Sequence, residues 1–172
     1  MSRFIVPYLC GYRGFAVFMD CDMLCLGDIA ELARYTSLAD QYGHSCRVVK
    51  HAYKPKNDTK FLGAIQTSYE KKNWSSMMIF NNTLCQELTL KAVNEKPGLW
   101  LHQFGWTEPH RIGGLPLEWN YLVGEENQTS HPPKLVHFTQ GTPCFPEYQN
   151  CEYADLWRAE REEMLGYRIA GK

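Results

Sequence analysis

Two acids stand one residue apart where a short apolar run of the sequence ends. Asp20 and Asp22 follow the run 14–19, which has a glycine at its start. Such a run predicts a buried strand, and because side chains alternate along a strand, both carboxylates would face the same side. Carboxylate oxygens suit Mg²⁺ or Mn²⁺, which would bridge the phosphates of a nucleotide. The alternative, favoured if this motif stood alone, is a pair of solvated acids that ends the strand.

Later in the chain, two polar side chains occur in apolar surroundings. His137 lies in the apolar run 134–138, where a second strand could supply a third metal ligand. The alternative for this residue is a core histidine that only makes hydrogen bonds. Gln103 lies among large apolar residues in LHQF, where an amide without a partner costs about 1–3 kcal/mol. The loop LPLEWNYL combines aromatic and polar residues in a way that indicates a shaped surface.

The elements that would position these residues are those of an α/β domain. Apolar runs of strand length predict four strands, at 14–19, 46–49, 76–80 and 134–138. Because the later strands do not alternate regularly with helices, we expect a mixed sheet rather than a purely parallel one.

Two helices are predicted from their end signals. Asp28 followed by Glu31 forms a capping-box pattern and predicts the start of a helix. The tail from Tyr153 to Tyr167 has apolar residues near helical spacing, with Gly166 as the expected C-cap. We expect this tail helix to be amphipathic and to dock on the body of the domain.

The bulk properties restrict the class of protein. At 172 residues the chain has the length of a single domain, 1–172, and its net charge of −1 offers no basic field for nucleic acid or a membrane surface. The opening residues contain only a short apolar stretch, which Pro7 and Gly11 interrupt. We therefore expect neither a signal peptide nor a membrane span, and a cytoplasmic location.

Five segments, in order along nearly the whole chain, resemble motifs of glycosyltransferase family 8. They are SRFIVPYL with FMDCDMLCLGDIAEL, SSMMIFN, LHQF, LPLEWN and VHFTQG. The resemblance implies a GT-A-like mixed sheet of Rossmann-like type, flanked by helices. It also implies a transferase of the hexosyltransferase type. Such an enzyme moves a sugar from a nucleotide-sugar donor, here a UDP-sugar, to a glycan, lipid or protein acceptor with retention of configuration.

The resemblance also implies roles for the matching residues. Asp20, Asp22 and His137 would hold Mn²⁺, or Mg²⁺, against the donor diphosphate. Gln103 would lie beneath the reacting carbon of the sugar, and front-side attack would require no strongly basic side chain. The residues implied in substrate binding are Arg3, which faces the nucleotide, and Asn73, Ser76, His102 and Gly141.

The chain departs from the family pattern in several places. His102 replaces an acid of the glutamine segment, and Thr142 stands where a lysine would grip the diphosphate. The asparagine before the inner strand is matched by Trp74, or by Asn73 after a one-residue slip. A GT-A fold opens with strand–helix units that bind the nucleoside, whereas here the acids come by residue 20. We therefore expect an N-terminally truncated catalytic domain.

Two other functions remain open. In a haloacid-dehalogenase-type phosphatase, Asp20 would attack phosphorus and Asp22 would act as an acid. Against this, Leu24 and Cys25 stand where a small hydroxyl residue is expected. The other alternative is a non-catalytic, truncated transferase module that binds a partner or a nucleotide. An uncovered sheet edge would then favour self-association.

Overall fold

The computed structural model describes residues 1–36, 43–52, 69–125 and 129–170, with the backbone alone described for 167–170. Seven strands occur within these ranges: β1 Phe15–Met19, β2 Met23–Cys25, β3 Cys46–Val49, β4 Met77–Asn81, β5 Ile112–Leu115, β6 Tyr121–Leu122 and β7 Leu135–His137. They form two sheets, with strand orders β1-β4-β3-β5 and β2-β7-β6.

Both sheets are mixed, as the sequence predicts. In the larger sheet β4 is antiparallel to β1 and to β3, while β5 is parallel to β3. In the smaller sheet β2 is antiparallel to β7, and β6 is parallel to β7. Since β1 belongs to the larger sheet and β2 to the smaller one, the turn between them lies where the two sheets meet.

Short helices connect these strands. Within the described ranges the α-helices are α1 Val6–Leu9, α2 Leu90–Glu95, α3 Gly98–His102 and α4 Ala154–Ala170, and residues 33–36 are also α-helical. Single 3₁₀ turns occur at Ser2–Ile5, Ile29–Leu32, Trp74–Ser76, Asn82–Leu84, Pro109–Arg111, Leu117–Trp119 and Pro146–Tyr148. Within the described ranges, no helix combines the length and the apolar character that crossing a membrane requires.

Strand β4 is buried on both faces and divides the core in two. Because side chains alternate along a strand, its residues go in turn to the two sides of the sheet. The first core cluster contains Met78 and Phe80 with Phe4, Val48, Leu88, Leu101 and Trp106, among others. The Trp119 cluster contains Met77 and Ile79 with Leu32, Tyr35, Val49, Leu115, Trp119 and Leu135.

The strand predicted at 14–19 forms as β1, but the prediction that it is buried was wrong. Phe15 is 38% exposed and Val17 is 39% exposed. The reason is that β1 is an edge strand, whose only ladder in the described residues is the one with β4. An apolar run indicates a strand, but it does not indicate how many neighbours that strand has.

The predicted helix start at Asp28 is confirmed in part. The Asp28 carboxylate accepts a hydrogen bond from the Ala30 backbone N–H at 2.9 Å, as an N-cap does. The element that follows begins as a 3₁₀ turn and continues as α-helix at residues 33–36, and the Glu31 carboxylate binds Lys134 rather than completing a capping box. This ion pair joins the turn to the residue before β7.

The tail forms the predicted helix, α4, but the predicted C-cap at Gly166 was wrong because the helix continues to Ala170. Of the tail side chains described, which end at residue 166, those at the start dock on the body and those at 158–166 do so less or not at all. Tyr153 and Trp157 pack against a third cluster that includes Val136, whereas Met164 is 52% exposed.

Candidate functional site

Asp20 and Asp22 lie in the turn between β1 and β2, not on a strand as predicted. The Asp20 backbone N–H donates to the Ser76 carbonyl at 2.9 Å, and the Phe138 N–H donates to the Asp22 carbonyl at 3.0 Å. The turn is therefore fixed from both sides, beside the start of β4 and beside the end of β7. These bonds, rather than alternation along a strand, place the two acids.

His137, the last residue of β7, joins the two acids. It is 3% exposed, and its Nε2 lies 3.5 Å from Asp22 Oδ1. One ligand atom from each of Asp20, Asp22 and His137 lies within 4.8 Å of the others. An octahedral ion with bonds of about 2.1 Å holds opposite ligands about 4.2 Å apart, so ligand atoms within 4.8 Å of one another could bind one ion after small side-chain movements. Two carboxylates with one imidazole suit Mn²⁺ better than Mg²⁺, which prefers oxygen ligands.

Arg3 lies against this cluster of ligand atoms. Its Nη2 is 2.7 Å from Asp20 Oδ1, and its Nη1 donates to the Ser75 carbonyl at 3.0 Å. Burial raises the pKa of Asp20, and the neighbouring charges of Arg3 and His137 offset this shift only in part. The Asp22 carboxylate adds to the upward shift. A partly buried pair of acids of this kind is stabilised by additional positive charge.

The acid and histidine cluster forms part of the wall of a cavity of about 530 Å³. This volume lies within the range of small-molecule sites, roughly 300–1,000 Å³. The lining also includes two cations, an aromatic ring and several hydroxyl groups: Arg3, Lys72, Tyr69, Ser75, Ser76, Thr139 and Thr142. The cavity therefore combines candidate metal ligands with positive charge.

Lys72 and Tyr69 were not predicted from the sequence as site residues. Lys72 is only 9% exposed, and its Nζ lies 5.1 Å from the centre of the Tyr69 ring. Both residues belong to the charged stretch YEKKNW, which has the composition of a solvated loop. Thr142 stands where the resemblance led us to expect a lysine, and in the structure Lys72 supplies a cation to the cavity from a different segment.

All five of the predicted substrate-binding residues line the cavity. Asn73, Ser76, His102 and Gly141 do so, together with Arg3, although their roles stay predictions. Gly141 has a steric reason to be glycine, because an added Cβ would lie 2.3 Å from the Tyr148 ring.

Gln103, the predicted catalytic residue, is not among the described residues that line the cavity. Its carbonyl oxygen accepts a hydrogen bond from Lys71 Nζ at 2.9 Å. Its neighbour His102 does line the cavity, with Nδ1 2.7 Å from Ser75 Oγ. Burial, and then the Arg3 charge, lower the pKa of His102 to about 4, so its imidazole is neutral at pH 7. The catalytic role of Gln103 stays a prediction.

A second neutral histidine makes stability depend on pH. Burial, and then the His137 charge, lower the pKa of His51 to about 3, compared with about 6.5 in an unfolded chain. Between these values the unfolded chain binds a proton that the folded chain does not. The stabilising contribution is therefore complete above about pH 6.5 and is lost as pH falls toward 3.

We expect His51→Gln to reduce this loss of stability in acid. The carbonyl of residue 51, which accepts from Trp74 Nε1 at 2.9 Å, is kept in this variant. Urea unfolding midpoints at pH 7, 5 and 4 measure the effect, and His131→Gln, at an exposed position, is the control. Equal declines for the wild type and His51→Gln would contradict the assignment.

The chain is similar to known proteins both in sequence and in structure. No protein-family model matches the chain. Protein CDI of Arabidopsis thaliana is 45% identical over 168 residues. The match covers 94% of this chain, and the chain spans 63% of the length of that relative.

The apo structure of the bifunctional glycosyltransferase WbbM superimposes with a TM-score of 0.61 and 18% identity, over 90% of this chain and 33% of WbbM. The chain has a GT-A-type fold. Apo mouse xyloside xylosyltransferase 1 superimposes with a TM-score of 0.49 and 14% identity, over 81% of this chain and 65% of that protein. The fold assignment rests on the first of these structures.

Proposed function

We propose that this domain is a metal-dependent glycosyltransferase that resembles family 8. It would transfer a sugar from a nucleotide-sugar donor, a UDP-sugar, to a glycan, lipid or protein acceptor with retention of configuration. One observation carries the proposal: the ligand atoms of Asp20, Asp22 and His137 converge at the wall of a cavity in a GT-A-type fold.

The charges around the cavity support an anionic donor. A Mn²⁺ ion bound by the two acids and the histidine would supply the positive charge that stabilises a leaving diphosphate. Arg3 and Lys72, both in the cavity wall, add two further positive charges beside that position. A guanidinium binds phosphate oxygens through paired hydrogen bonds, whereas a lysine acts as a point charge. We assign both side chains to binding of the diphosphate.

Proton transfer requires no strong base in this proposal. The His102 imidazole, whose pKa is about 4, is a poor base at pH 7. This agrees with a mechanism in which the leaving phosphate accepts the proton of the acceptor hydroxyl. In that case His102 would contribute hydrogen bonds to the substrate rather than general-base catalysis.

The phosphatase alternative is supported less well. A nucleophilic aspartate must present an oxygen to phosphorus, but Asp20 is held by Arg3 at 2.7 Å and faces Asp22 and His137. That mechanism also has no use for His137. In addition, this chain shares its fold with the glycosyltransferase WbbM, on which it superimposes with a TM-score of 0.61.

A non-catalytic binding module remains a second candidate because of one feature. Among the described residues, β1 pairs on one edge only and has partly exposed apolar side chains, and it borders a groove that contains Ile29, which is 45% exposed. Surfaces of this kind bind partner chains. This candidate predicts self-association without turnover of any nucleotide-sugar.

Calorimetric titration of UDP with Mn²⁺ and with EDTA tests the transferase proposal. We expect binding only in the presence of Mn²⁺, and release of UDP from at least one member of a panel of UDP-sugars. ADP and GDP serve as controls for the base. Equal binding of UDP in EDTA, or no binding in either condition, would overturn the proposal for this chain.

A further inference from the structure

Asn120 is the residue that connects the candidate metal ligand His137 to the larger sheet. It follows the 3₁₀ turn Leu117–Trp119 directly and is fully buried, at 0% exposed. Its Oδ1 lies 3.1 Å from His137 Nδ1. Its Nδ2 lies 2.8 Å from Ser76 Oγ and 3.3 Å from the Asn73 carbonyl oxygen. All polar atoms of the Asn120 amide therefore have partners.

These partners determine which way the Asn120 amide faces. The Ser76 hydroxyl has one proton, and it donates that proton to the Asn73 carbonyl at 2.6 Å. Ser76 Oγ must then accept from Asn120, and the Asn73 carbonyl oxygen can only accept. Both partners on this side require a donor, so the NH₂ group of Asn120 faces Ser76. The amide oxygen consequently faces His137.

The direction of the amide determines the tautomer of His137. An amide oxygen can only accept, so His137 Nδ1 must carry the proton that it receives. In the neutral ring Nε2 then has the lone pair, and Nε2 is the atom that lies 3.5 Å from Asp22 Oδ1. A metal ligand needs this lone pair on the side where the other ligands converge.

We propose that Asn120 is a positioning residue that holds His137 in its Nδ1–H tautomer, with the Nε2 lone pair directed toward Asp20 and Asp22. The hydrogen-bond arrangement is observed independently of the proposed function, and only its use for metal binding rests on that function. Because Ser76 precedes β4 and His137 ends β7, the same amide also holds the two sheets in register at the site.

Histidine ¹⁵N NMR of the metal-free protein tests the inference directly. Long-range ¹⁵N–¹H correlations distinguish the two neutral tautomers, and the spectrum of His137→Gln identifies the signals of His137. We expect the Nδ1–H tautomer in the wild type, loss of that preference in Asn120→Leu, and partial loss in Ser76→Ala. The signals of exposed His131 should not change in either variant. An Nε2–H tautomer in the wild type would overturn the proposal, even if Asn120→Leu does not fold.

Metal affinity gives a second and separate readout. Removing the hydrogen-bond partner of a metal-ligating histidine weakens metal binding by roughly 10–100-fold. We expect a loss of this size in the Mn²⁺ affinity of Asn120→Leu. Asn120→Asp retains an acceptor for Nδ1 and should recover part of this loss. If the wild type shows the Nδ1–H tautomer but binds no Mn²⁺, the proposed function fails and the positioning role stands. If Mn²⁺ binds equally well to Asn120→Leu, the positioning role fails and the metal site stands.

Discussion

In the proposed enzyme, we expect Asp22→Asn to weaken both Mn²⁺ binding and sugar transfer by orders of magnitude. A carboxylate oxygen of Asp22 lies within 4.8 Å of the Asp20 and His137 ligand atoms, and the amide that replaces the carboxylate has a similar shape but no charge. Since the number of charged ligands changes the affinity for divalent ions over orders of magnitude, we expect binding to weaken by roughly 100-fold or more. A bound ion stabilises the transition state by several kcal/mol, so without it turnover should fall by about 10³-fold.

Electron paramagnetic resonance of unbound Mn²⁺ measures the first effect, and release of UDP measures the second. Asp155→Asn is the matched control, because it removes the same charge from a side chain on α4 that is 96% exposed. We expect wild-type affinity in this control. Unchanged Mn²⁺ binding in Asp22→Asn would mean that the ion binds elsewhere and that the acids have another role.

Trp119→Ala causes the largest loss of stability that we expect from one side chain. Trp119 is 0% exposed and packs in the Trp119 cluster beneath the larger sheet, with Lys134 Nζ 5.5 Å from the centre of its ring. Truncation of a buried tryptophan to alanine costs about 3–5 kcal/mol. For a chain of this size, the melting temperature should fall by roughly 6–20 °C.

Thermal and urea unfolding, followed by circular dichroism, measure the change. Trp157→Ala makes the same truncation at a half-buried position on α4 and should cost much less. Trp119→Phe is the sharper comparison. Within the described part of the chain the Trp119 indole N–H has no hydrogen-bond partner, so phenylalanine loses packing but no hydrogen bond. Equal losses in Trp119→Ala and Trp157→Ala would contradict the central place of Trp119 in the core.

Four of the seven strands in the described residues, and the three candidate ligands, were predictable because their signals are local, whereas β2, β5 and β6 were not predicted. Apolar runs of four to six residues between glycines or polar residues marked β1, β3, β4 and β7. Acids and a histidine at the ends of such runs marked Asp20, Asp22 and His137. Such a signal can be recognised within a few consecutive residues, because it consists of a polar residue beside or within an apolar run.

The residues that complete the site were not predictable in this way. Lys72 is buried by packing between distant segments, and nothing in its own stretch distinguishes it from a solvated lysine. LPLEWNYL was recognised as a shaped loop, but the hydrogen bond from His137 to Asn120 exists only once β6 and β7 are paired. The exposure of β1 and the pairing of Glu31 with Lys134 likewise depend on which strands become neighbours.

If the proposed ion binds, the position of the candidate ligands along the chain would couple metal supply to folding. Asp20 and Asp22 come near the start of the described chain and His137 near its end, so an ion held by all three closes a very long loop. An unfolded chain rarely brings such distant groups together, so an ion that binds only the folded form adds to the free energy of unfolding as its concentration rises. Quality-control proteases would then degrade the metal-free form of this protein first.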